Sequence, residues 1–407
     1  MNKKALLITT VSGFVPQFEM GNVKLLQELG YEVHYASNFK NPHYGTDNQR
    51  LKKTGIQNHQ IDFVRSPYHF WKNLKAYHQL VRLLQKDFYE LIHCHTPMGA
   101  VLARLAVRRI NGRKKGIYVI YTAHGFHFYQ GAPLKNWILY YPVERWLAKD
   151  ADLLITMNEE DTYRAKKMCR YLTTKVKWVH GVGIDLSYWT GKNITSQEKQ
   201  HIRTKIRKEL GISEEATIYL SVGELSKRKN HQVVISAFTK LKQKQLLSEQ
   251  SYYLIAGKGT KFSSLKRQIY RAGLQKQIIL LGYRQDIREL LFAADVFLFP
   301  SLQEGMPVAL LEAAAAGLDL LAEDIRGNQE ILQHTDGILI SGKNKSAWIK
   351  GLQIEQQRRE QKDLIKIPLE QSSIENGLKL YDKAVIKRQM KRVYETVVLK
   401  SEKGNKK

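Results

Sequence analysis

The chain has 407 residues, of which 43% are hydrophobic and 25% charged, a composition typical of a soluble globular protein large enough for two domains. No stretch reaches the roughly 18 apolar residues that cross a bilayer, and the N-terminal residues predict a strand, not a signal peptide. Lys and Arg outnumber Asp and Glu by 65 to 38, and the net charge of +27 predicts an anionic partner. Nucleic acid, anionic lipid and phosphorylated small molecules all fit that charge, although no zinc-finger, RNP or basic-zipper pattern accompanies it.

Short apolar runs rich in Ile, Val, Leu and Tyr alternate with helical patterns, which is typical of parallel α/β layers. In the first half we predict strands at 5–9, 32–36, 91–95, 117–124 and 152–157. In the second half we predict strands at 217–223, 252–257, 278–283, 295–301, 318–324 and 337–341. The fold class is therefore α/β, with two Rossmann-like parallel-sheet domains.

A polar stretch at 188–200 separates the two series of strands. The segment 376–400 predicts amphipathic helices that have no obvious partner in the second domain. We therefore predict a first domain at 1–187, a second at 188–372, and C-terminal helices with a basic tail at 373–407 that pack back on the first domain. The two cysteines, Cys94 and Cys169, provide no disulfide framework, which indicates a reducing cytosol.

Glu304 and Glu312 lie on either side of the start of an alanine-rich helix. Ligands of open α/β sheets bind where strands end, and Glu304 follows the ninth predicted strand. We predict that Pro307 is the first helical residue and that the free amides of Val308 and Ala309 form an anion site. Ionised carboxylates accept hydrogen bonds, so a ligand with a negative centre and hydroxyls at both ends fits this order, as a nucleotide-sugar does. A surface glutamate beside a salt-bridged helix glutamate is the simpler interpretation of this spacing alone.

An ordered set of motifs then resembles a known family. The segments "SVGELSKRKNH", "IAGKG", "ADVFLFPSLQEGMPVALLEAAAAG" and "DIRGNQEIL" are similar to the donor domain of family-4 retaining glycosyltransferases of the GT-B fold. The segments "LIHCHTPMGA", "YTAHGFHFYQGAPL" and "HGVGID" resemble the branch that builds capsules and exopolysaccharides. The GT-B fold implies that the two domains face a central cleft.

The resemblance implies a role for individual residues on the donor side. Glu304 matches the residue that holds donor-sugar hydroxyls and Glu312 the residue that holds the ribose, while Lys229 matches the lysine that neutralises the diphosphate. The donor-binding set also includes Gly305, Val308 and Ala309.

On the acceptor side, Gly13 matches the small residue that lets its loop approach the phosphates. His124 matches the histidine near the donor hexose. His124, Lys229 and Glu304 form the catalytic set.

One position departs from the family, because Glu224 stands where arginine is usual and removes an expected cation. Arg228 or Lys258 could supply the charge, and we favour Arg228. His93 and His95 alternate on one strand face and mimic a metal pair, but no third ligand is visible, so we predict a structural role for both. Neither a metal nor another cofactor is expected.

The function implied is transfer of a hexose or N-acetylhexosamine from a UDP-sugar to a lipid-linked saccharide acceptor with retention of configuration. Aromatic and basic residues mix at 66–86 and 126–149, which favours docking on an anionic membrane surface. We therefore expect a cytoplasmic protein on the inner face of the membrane. We expect no nucleic acid partner. The alternatives are a nucleotide-sugar epimerase, a catalytically inactive homologue, and a non-enzyme that binds anionic polymers.

Overall fold

The structure is a computed structural model that describes residues 3–42, 48–365 and 376–404. Backbone contacts divide the chain into two compact units: the first joins the residues up to Val182 with those from Ala384 onward, and the second is Gly183–Lys383. The predicted boundary at 372 lies outside the described residues. Among the described residues, no helix combines the length and apolar character that a bilayer span requires.

The first unit is built on a parallel sheet of seven strands in the order β3-β2-β1-β4-β5-β6-β7. These strands are β1 (Lys3–Ile8), β2 (Tyr31–Ser37), β3 (Gln57–Gln60), β4 (Leu91–His95), β5 (Tyr118–Ala123), β6 (Leu153–Thr156) and β7 (Lys175–Trp178). Its helices before the second unit are α1 (Met20–Glu28), α2 (Phe70–Lys86), α3 (Pro97–Arg109), α4 (Leu134–Ala148) and α5 (Glu159–Cys169). Short helical turns lie at Val15–Glu19, Gln49–Leu51 and Gly112–Lys115.

Two edge strands of this sheet, β3 and β7, are absent from the predictions above. β3 reads "QNHQ" and β7 reads "KVKW", so neither has the apolar run that marks a central strand. Edge strands carry polar and charged side chains because one side of the strand faces solvent. The predicted strands of the first half are the five central ones.

The central strands of the first sheet bury both faces, as parallel sheets covered by helices do. Leu6 and Ile8 of β1 pack in a core that includes residues of α2 and α3. Ala5 and Leu7 point the opposite way, into a core with α1 and the C-terminal helix α14 (Lys383–Gly404). α14 contributes the buried side chains Ile386, Met390, Val393, Tyr394 and Val397.

The second unit is built on a parallel sheet of six strands in the order β10-β9-β8-β11-β12-β13. These strands are β8 (Thr217–Val222), β9 (Ser251–Ala256), β10 (Ile278–Gly282), β11 (Val296–Phe299), β12 (Asp319–Glu323) and β13 (Ile338–Ile340). Its helices are α6 (Leu186–Thr190), α7 (Ser196–Glu209), α8 (His231–Gln243), α9 (Phe262–Arg271), α10 (Ile287–Ala293), α11 (Val308–Ala316), α12 (Asn328–Leu332) and α13 (Lys345–Ile365), with a helical turn at Lys379–Tyr381. All six predicted strands of the second half are present.

Strand order reverses once in each sheet, between β1 and β4 in the first and between β8 and β11 in the second. At such a reversal the loops leave neighbouring strands toward opposite faces of the sheet and open a crevice at the carboxyl ends of the strands. The candidate residues follow these strands: Gly13 lies after β1, Lys229 after β8 and Glu304 after β11.

Candidate active site

The loop between β8 and α8 presents two cations to the loop that precedes α11. Arg228 Nη1 lies 2.6 Å and Lys229 Nζ 2.8 Å from the same carboxylate oxygen, Glu304 Oε1. Arg228 also donates to the Gln303 carbonyl at 2.8 Å, and the Arg228 carbonyl accepts from the Leu302 amide at 2.8 Å. The two loops are therefore joined by backbone and side-chain contacts.

Burial and charge act in opposite directions on this cluster. Burial on its own would raise the pKa of Glu304, but the Lys229 ammonium and the Arg228 guanidinium outweigh it, so the pKa is lowered and the carboxylate is ionised. Burial lowers the pKa of Lys229, and Glu304 partly offsets that effect. The Lys229 side chain is 12% exposed and that of Arg228 is 43% exposed. Lys229 is thus the more strongly desolvated of the two cations.

Of the two cations proposed to replace the family arginine, the structure brings Arg228 to the cluster. Lys258 instead lies over the Tyr283 ring, 5.4 Å from its centroid. In the described part of the chain, no ion pair joins Lys258 to Glu304. Glu224 is exposed, and its charge favours the protonated form of Lys229.

Gly257 and Gly259 allow the loop after β9 to pack directly against the backbone of the loop between β8 and α8. A Cβ on Gly257 would lie 1.8 Å from the Gly223 carbonyl oxygen, and a Cβ on Gly259 would lie 2.3 Å from the Leu225 carbonyl oxygen. The Leu225 amide donates to the Lys258 carbonyl at 2.9 Å. The "IAGKG" motif is therefore required for this close backbone approach.

Helix α11 begins at Val308, and Pro307 has extended backbone angles (φ −81°, ψ 109°) as the residue before it. The prediction that Pro307 is the first helical residue is wrong by one position. The amides of Val308 and Ala309 are still in the first turn, where backbone donors lack intrahelical acceptors. The helix start at which we predict an anion site is therefore present. Val308 and Ala309 are both half-buried.

Glu312, one turn along α11, is half-buried and differs from Glu304 in its charge state. Burial raises its pKa to about 8, and Lys383 opposes that shift only partly. The expectation of an ionised carboxylate therefore holds for Glu304, whereas the raised pKa of Glu312 favours its protonated form.

Arg326, to which sequence reasoning gave no role, also contacts the Glu304 loop. Its buried guanidinium donates through Nε to the Glu304 carbonyl oxygen at 3.2 Å. The next residue, Gly327, has a φ of +76°, and a Cβ there would lie 2.2 Å from the Gly305 carbonyl oxygen. Arg326 and Gly327 both belong to the "DIRGNQEIL" motif, which was the signal in the sequence for their contact with the Glu304 loop.

In the first unit, Gly13 and His124 both lie at the carboxyl edge of the sheet. The Gly13 amide donates to the Pro42 carbonyl at 2.9 Å. Because the amide is already used, the feature of Gly13 that suits a nearby ligand is the small size of the residue. His124 follows β5 and is not isolated. Its Nε2 lies 3.0 Å from His95 Nδ1 and 3.6 Å from Glu19 Oε1. Burial lowers the pKa of His124 to about 3, so the ring is neutral.

The expectation that the strand histidines have no third potential ligand nearby is wrong for His95. Its Nδ1 also lies 3.5 Å from Glu19 Oε1, and Glu19, His95 and His124 form one group in which Glu19 and His95 are buried and His124 is partly exposed. Glu19 was missed because nothing in its local sequence distinguishes it from a surface glutamate. His93 has the structural role predicted for it, with hydrogen bonds to Tyr394 Oη at 2.9 Å and Thr122 Oγ1 at 2.7 Å.

Comparison with known proteins identifies the family. Residues 20–164 match the family described as "Glycosyl transferase 4-like domain", and residues 202–367 match "Glycosyl transferases group 1". The Bacillus subtilis protein named as glycosyltransferase EpsD is 35% identical over 354 residues, which cover 87% of each chain. The chain is a GT-B glycosyltransferase.

Two further similarities bear on this glycosyltransferase. An Escherichia coli UDP-Gal:alpha-D-GlcNAc-diphosphoundecaprenol alpha-1,3-galactosyltransferase is 31% identical over 284 residues, which cover 69% of this chain and 70% of the relative. The crystal structure of Anabaena HepE in complex with UDP aligns with a TM-score of 0.71 at 18% identity, covering 97% of this chain and all of that chain. At that identity the alignment supports the shared fold alone.

Proposed function

We propose that this glycosyltransferase moves a hexose or N-acetylhexosamine from a UDP-sugar to a polyprenyl-diphosphate-linked saccharide in exopolysaccharide synthesis, with retention of anomeric configuration. The observation that carries the proposal is the cluster of Lys229, Arg228 and Glu304 beside the first turn of α11. Two cations, free amides and a carboxylate at a reversal of strand order suit a diphosphate that is attached to a polyhydroxylated ring.

The reaction needs stabilisation of the charge that develops on the departing UDP. Lys229, Arg228 and the amides of Val308 and Ala309 would receive this charge, which is the kind of electrostatic term that dominates many enzymatic accelerations. The diphosphate would replace Glu304 as the partner of both cations. The Glu304 carboxylate would then accept hydrogen bonds from donor-sugar hydroxyls.

These contacts favour a role for Glu304 in binding sugar hydroxyls over a role as the nucleophile. A carboxylate held by two phosphate-binding cations lies on the phosphate side of the anomeric carbon, whereas a nucleophile must approach from the opposite side. His124 would contact the donor hexose as a neutral ring. Glu312, further along α11, would hold the ribose.

The identity of the donor and of the acceptor rests on relatives. The name of the E. coli relative specifies both UDP-Gal and a diphosphoundecaprenol-linked acceptor. This name supports a uridine nucleotide and a lipid-linked acceptor here.

An exposed aromatic and basic surface on the first unit supports docking on the cytoplasmic face of the cell membrane. Large apolar side chains at the start of α2 and along α4 are between 50% and 79% exposed: Tyr68, Phe70, Trp71, Leu134, Ile138 and Trp146. Exposed lysines and arginines, among them Lys72, Lys135 and Arg145, lie between them in sequence. Aromatic rings at headgroup level with cations against lipid phosphates are the side chains that such a surface uses.

Co-sedimentation with vesicles that contain phosphatidylglycerol tests the docking surface. We expect wild type to bind at low salt, and we expect the double variant Trp71→Ala, Ile138→Ser to bind at least tenfold more weakly. Tyr270→Ala, which removes an aromatic ring that is 72% exposed in the second unit, is the matched control and should bind as wild type. Wild-type protein that stays in the supernatant at low salt would exclude membrane docking.

Incubation with a panel of UDP-hexoses and UDP-N-acetylhexosamines, with and without a polyprenyl-diphosphate saccharide, tests the reaction. We expect UDP release and a new α-linkage in the lipid product, as read by the anomeric proton coupling in NMR. A β-linked product would contradict retention, and epimerised donor without acceptor would favour the epimerase alternative. Unchanged donors combined with tight, salt-sensitive DNA or RNA binding would favour the polymer-binding alternative.

A further inference from the structure

A group of potential metal ligands lies in the first unit, at the carboxyl edge of its sheet. Glu19 ends the turn at Val15–Glu19, His95 ends β4, and His124 follows β5. Glu19 is 2% exposed and His95 is fully buried. Three separate segments of the chain therefore bring two imidazoles and one carboxylate to a single point.

The spacing of the three atoms matches the spacing of ligands around one small cation. His95 Nδ1, His124 Nε2 and Glu19 Oε1 are separated by 3.0, 3.5 and 3.6 Å. By these distances, the point equidistant from them in their plane lies about 2.0 Å from each atom, and Zn²⁺ binds His nitrogen and Glu oxygen at about 2.0–2.2 Å. An ion about 0.6 Å above that plane would be about 2.05 Å from all three, close to the pyramid of a regular tetrahedral site.

Hydrogen bonding alone explains only part of this arrangement. The 3.0 Å contact between the two rings is a normal hydrogen bond, but distances of 3.5 and 3.6 Å from the carboxylate oxygen to the ring nitrogens are too long for strong ones. Within the described residues, no lysine or arginine forms an ion pair with Glu19. A buried carboxylate oxygen thus faces two imidazole nitrogens across a gap that fits an ion.

Groups behind the three ligands hold them in place. Asn22 Nδ2 donates to Glu19 Oε2 at 2.5 Å, which leaves Oε1 directed at the histidines. The His93 ring lies 4.1 Å from the His95 ring, centroid to centroid, and is itself fixed by Tyr394 and Thr122. Phe14 packs edge-on against His124 at 4.9 Å. A hydrogen bond that orients a ligating carboxylate, such as the one from Asn22 to Glu19, is typical of protein metal sites.

We propose that Glu19, His95 and His124 bind one divalent first-row transition-metal ion, with Zn²⁺ as the best fit, in a site with a fourth position open. The ion ties the turn that follows Gly13 to the ends of β4 and β5. It also occupies Nε2 of His124 and leaves Nδ1 as the ring nitrogen for other contacts.

Metal titration of tag-free, full-length protein tests this site directly, with Co²⁺ as the probe. After dialysis against a chelator, we expect wild type to take up one equivalent of Co²⁺ with the visible absorption of four-coordinate cobalt, and Zn²⁺ to displace it. Glu19→Gln and His95→Asn should each weaken Co²⁺ binding by at least 100-fold, more than the 10- to 100-fold that is typical of losing an outer-shell partner. His201→Asn, which removes an exposed histidine of α7, should bind Co²⁺ as wild type.

Wild-type protein without stoichiometric uptake of Co²⁺ or Zn²⁺ would overturn the proposal, and so would unchanged uptake by folded Glu19→Gln. Because both substitutions are in buried positions, X-ray absorption of Co²⁺-loaded wild type provides a measurement that needs no variant. Two imidazoles and one carboxylate in the ligand sphere support the site, and a sphere without two imidazoles refutes it. None of these measurements depends on the glycosyl transfer reaction.

Discussion

Replacing Glu304 by glutamine separates the two roles proposed for this carboxylate. It forms ion pairs with Lys229 and Arg228 through contacts of 2.8 and 2.6 Å and so balances one of their two charges. The contact with the half-exposed Arg228 contributes little, since surface ion pairs are worth about 0–1 kcal/mol. The contact with Lys229 is largely buried, so we expect the variant to lose about 1–3 kcal/mol of stability, mainly through this pair.

The same substitution should affect UDP binding and turnover in opposite ways. Both cations remain and have lost their competing carboxylate, so UDP should bind as tightly as to wild type or up to about tenfold more tightly. The sugar hydroxyls lose a charged acceptor worth up to about 3 kcal/mol, which predicts a fall in kcat of about 100-fold.

Calorimetric titration with UDP and a UDP-release assay at saturating donor would measure the two effects separately. Glu249→Gln, at an exposed loop position, is the matched control. A kcat within threefold of wild type, or loss of UDP binding, would refute the assignment of Glu304 as the residue that binds the sugar hydroxyls.

Three other substitutions test the remaining groups of the second unit. Lys229→Met should weaken UDP binding about 10- to 100-fold in calorimetry, because a charge-assisted contact is lost, while Lys227→Met at an exposed position should not. Glu312→Gln should flatten the pH dependence of stability: burial raises the folded pKa from 4.5 to about 8, so the native state binds the extra proton in this window and wild-type stability falls as pH rises through it. Melting temperatures from pH 5 to 9 would show the difference, and parallel curves would contradict the assignment of this titration. Glu224→Arg should tighten UDP binding about 3- to 10-fold at low salt, since each unit charge at about 8 Å contributes about 0.5 kcal/mol in water. Glu249→Arg makes the same charge change elsewhere, and equal effects of both would contradict a local role.

The sequence was sufficient to predict the elements that have a strong local signal. All six strands of the second sheet and the five central strands of the first were predicted, because buried parallel strands form continuous apolar runs. The edge strands β3 and β7 were missed because their residues are polar or charged. Pro307 was assigned one position too far into the helix, since proline is compatible with both positions and only the backbone angles distinguish them.

Contacts over long sequence separations explain why part of the candidate site could not be predicted. Glu304 and its two cations are about 75 residues apart in sequence, and only the family resemblance suggested that they belong to one site. The resemblance did not predict that they pair with each other. Glu19 meets His95 and His124 through the order of strands in the sheet, and no spacing within a single motif encodes that contact.

Burial shifts pKa values in both polar groups, the one formed by Glu19, His95 and His124 and the one formed by Lys229, Arg228 and Glu304. The two groups differ in whether a neighbouring charge offsets the effect of burial. In the first unit, burial raises the pKa of Glu19 to about 8 and lowers that of His124 to about 3. In the second unit, burial lowers the pKa of Lys229, and the Glu304 carboxylate partly offsets that effect. We infer that Glu304 balances part of the positive charge of the diphosphate site before the donor arrives, and that it binds the sugar when the phosphates replace it as the partner of Lys229 and Arg228.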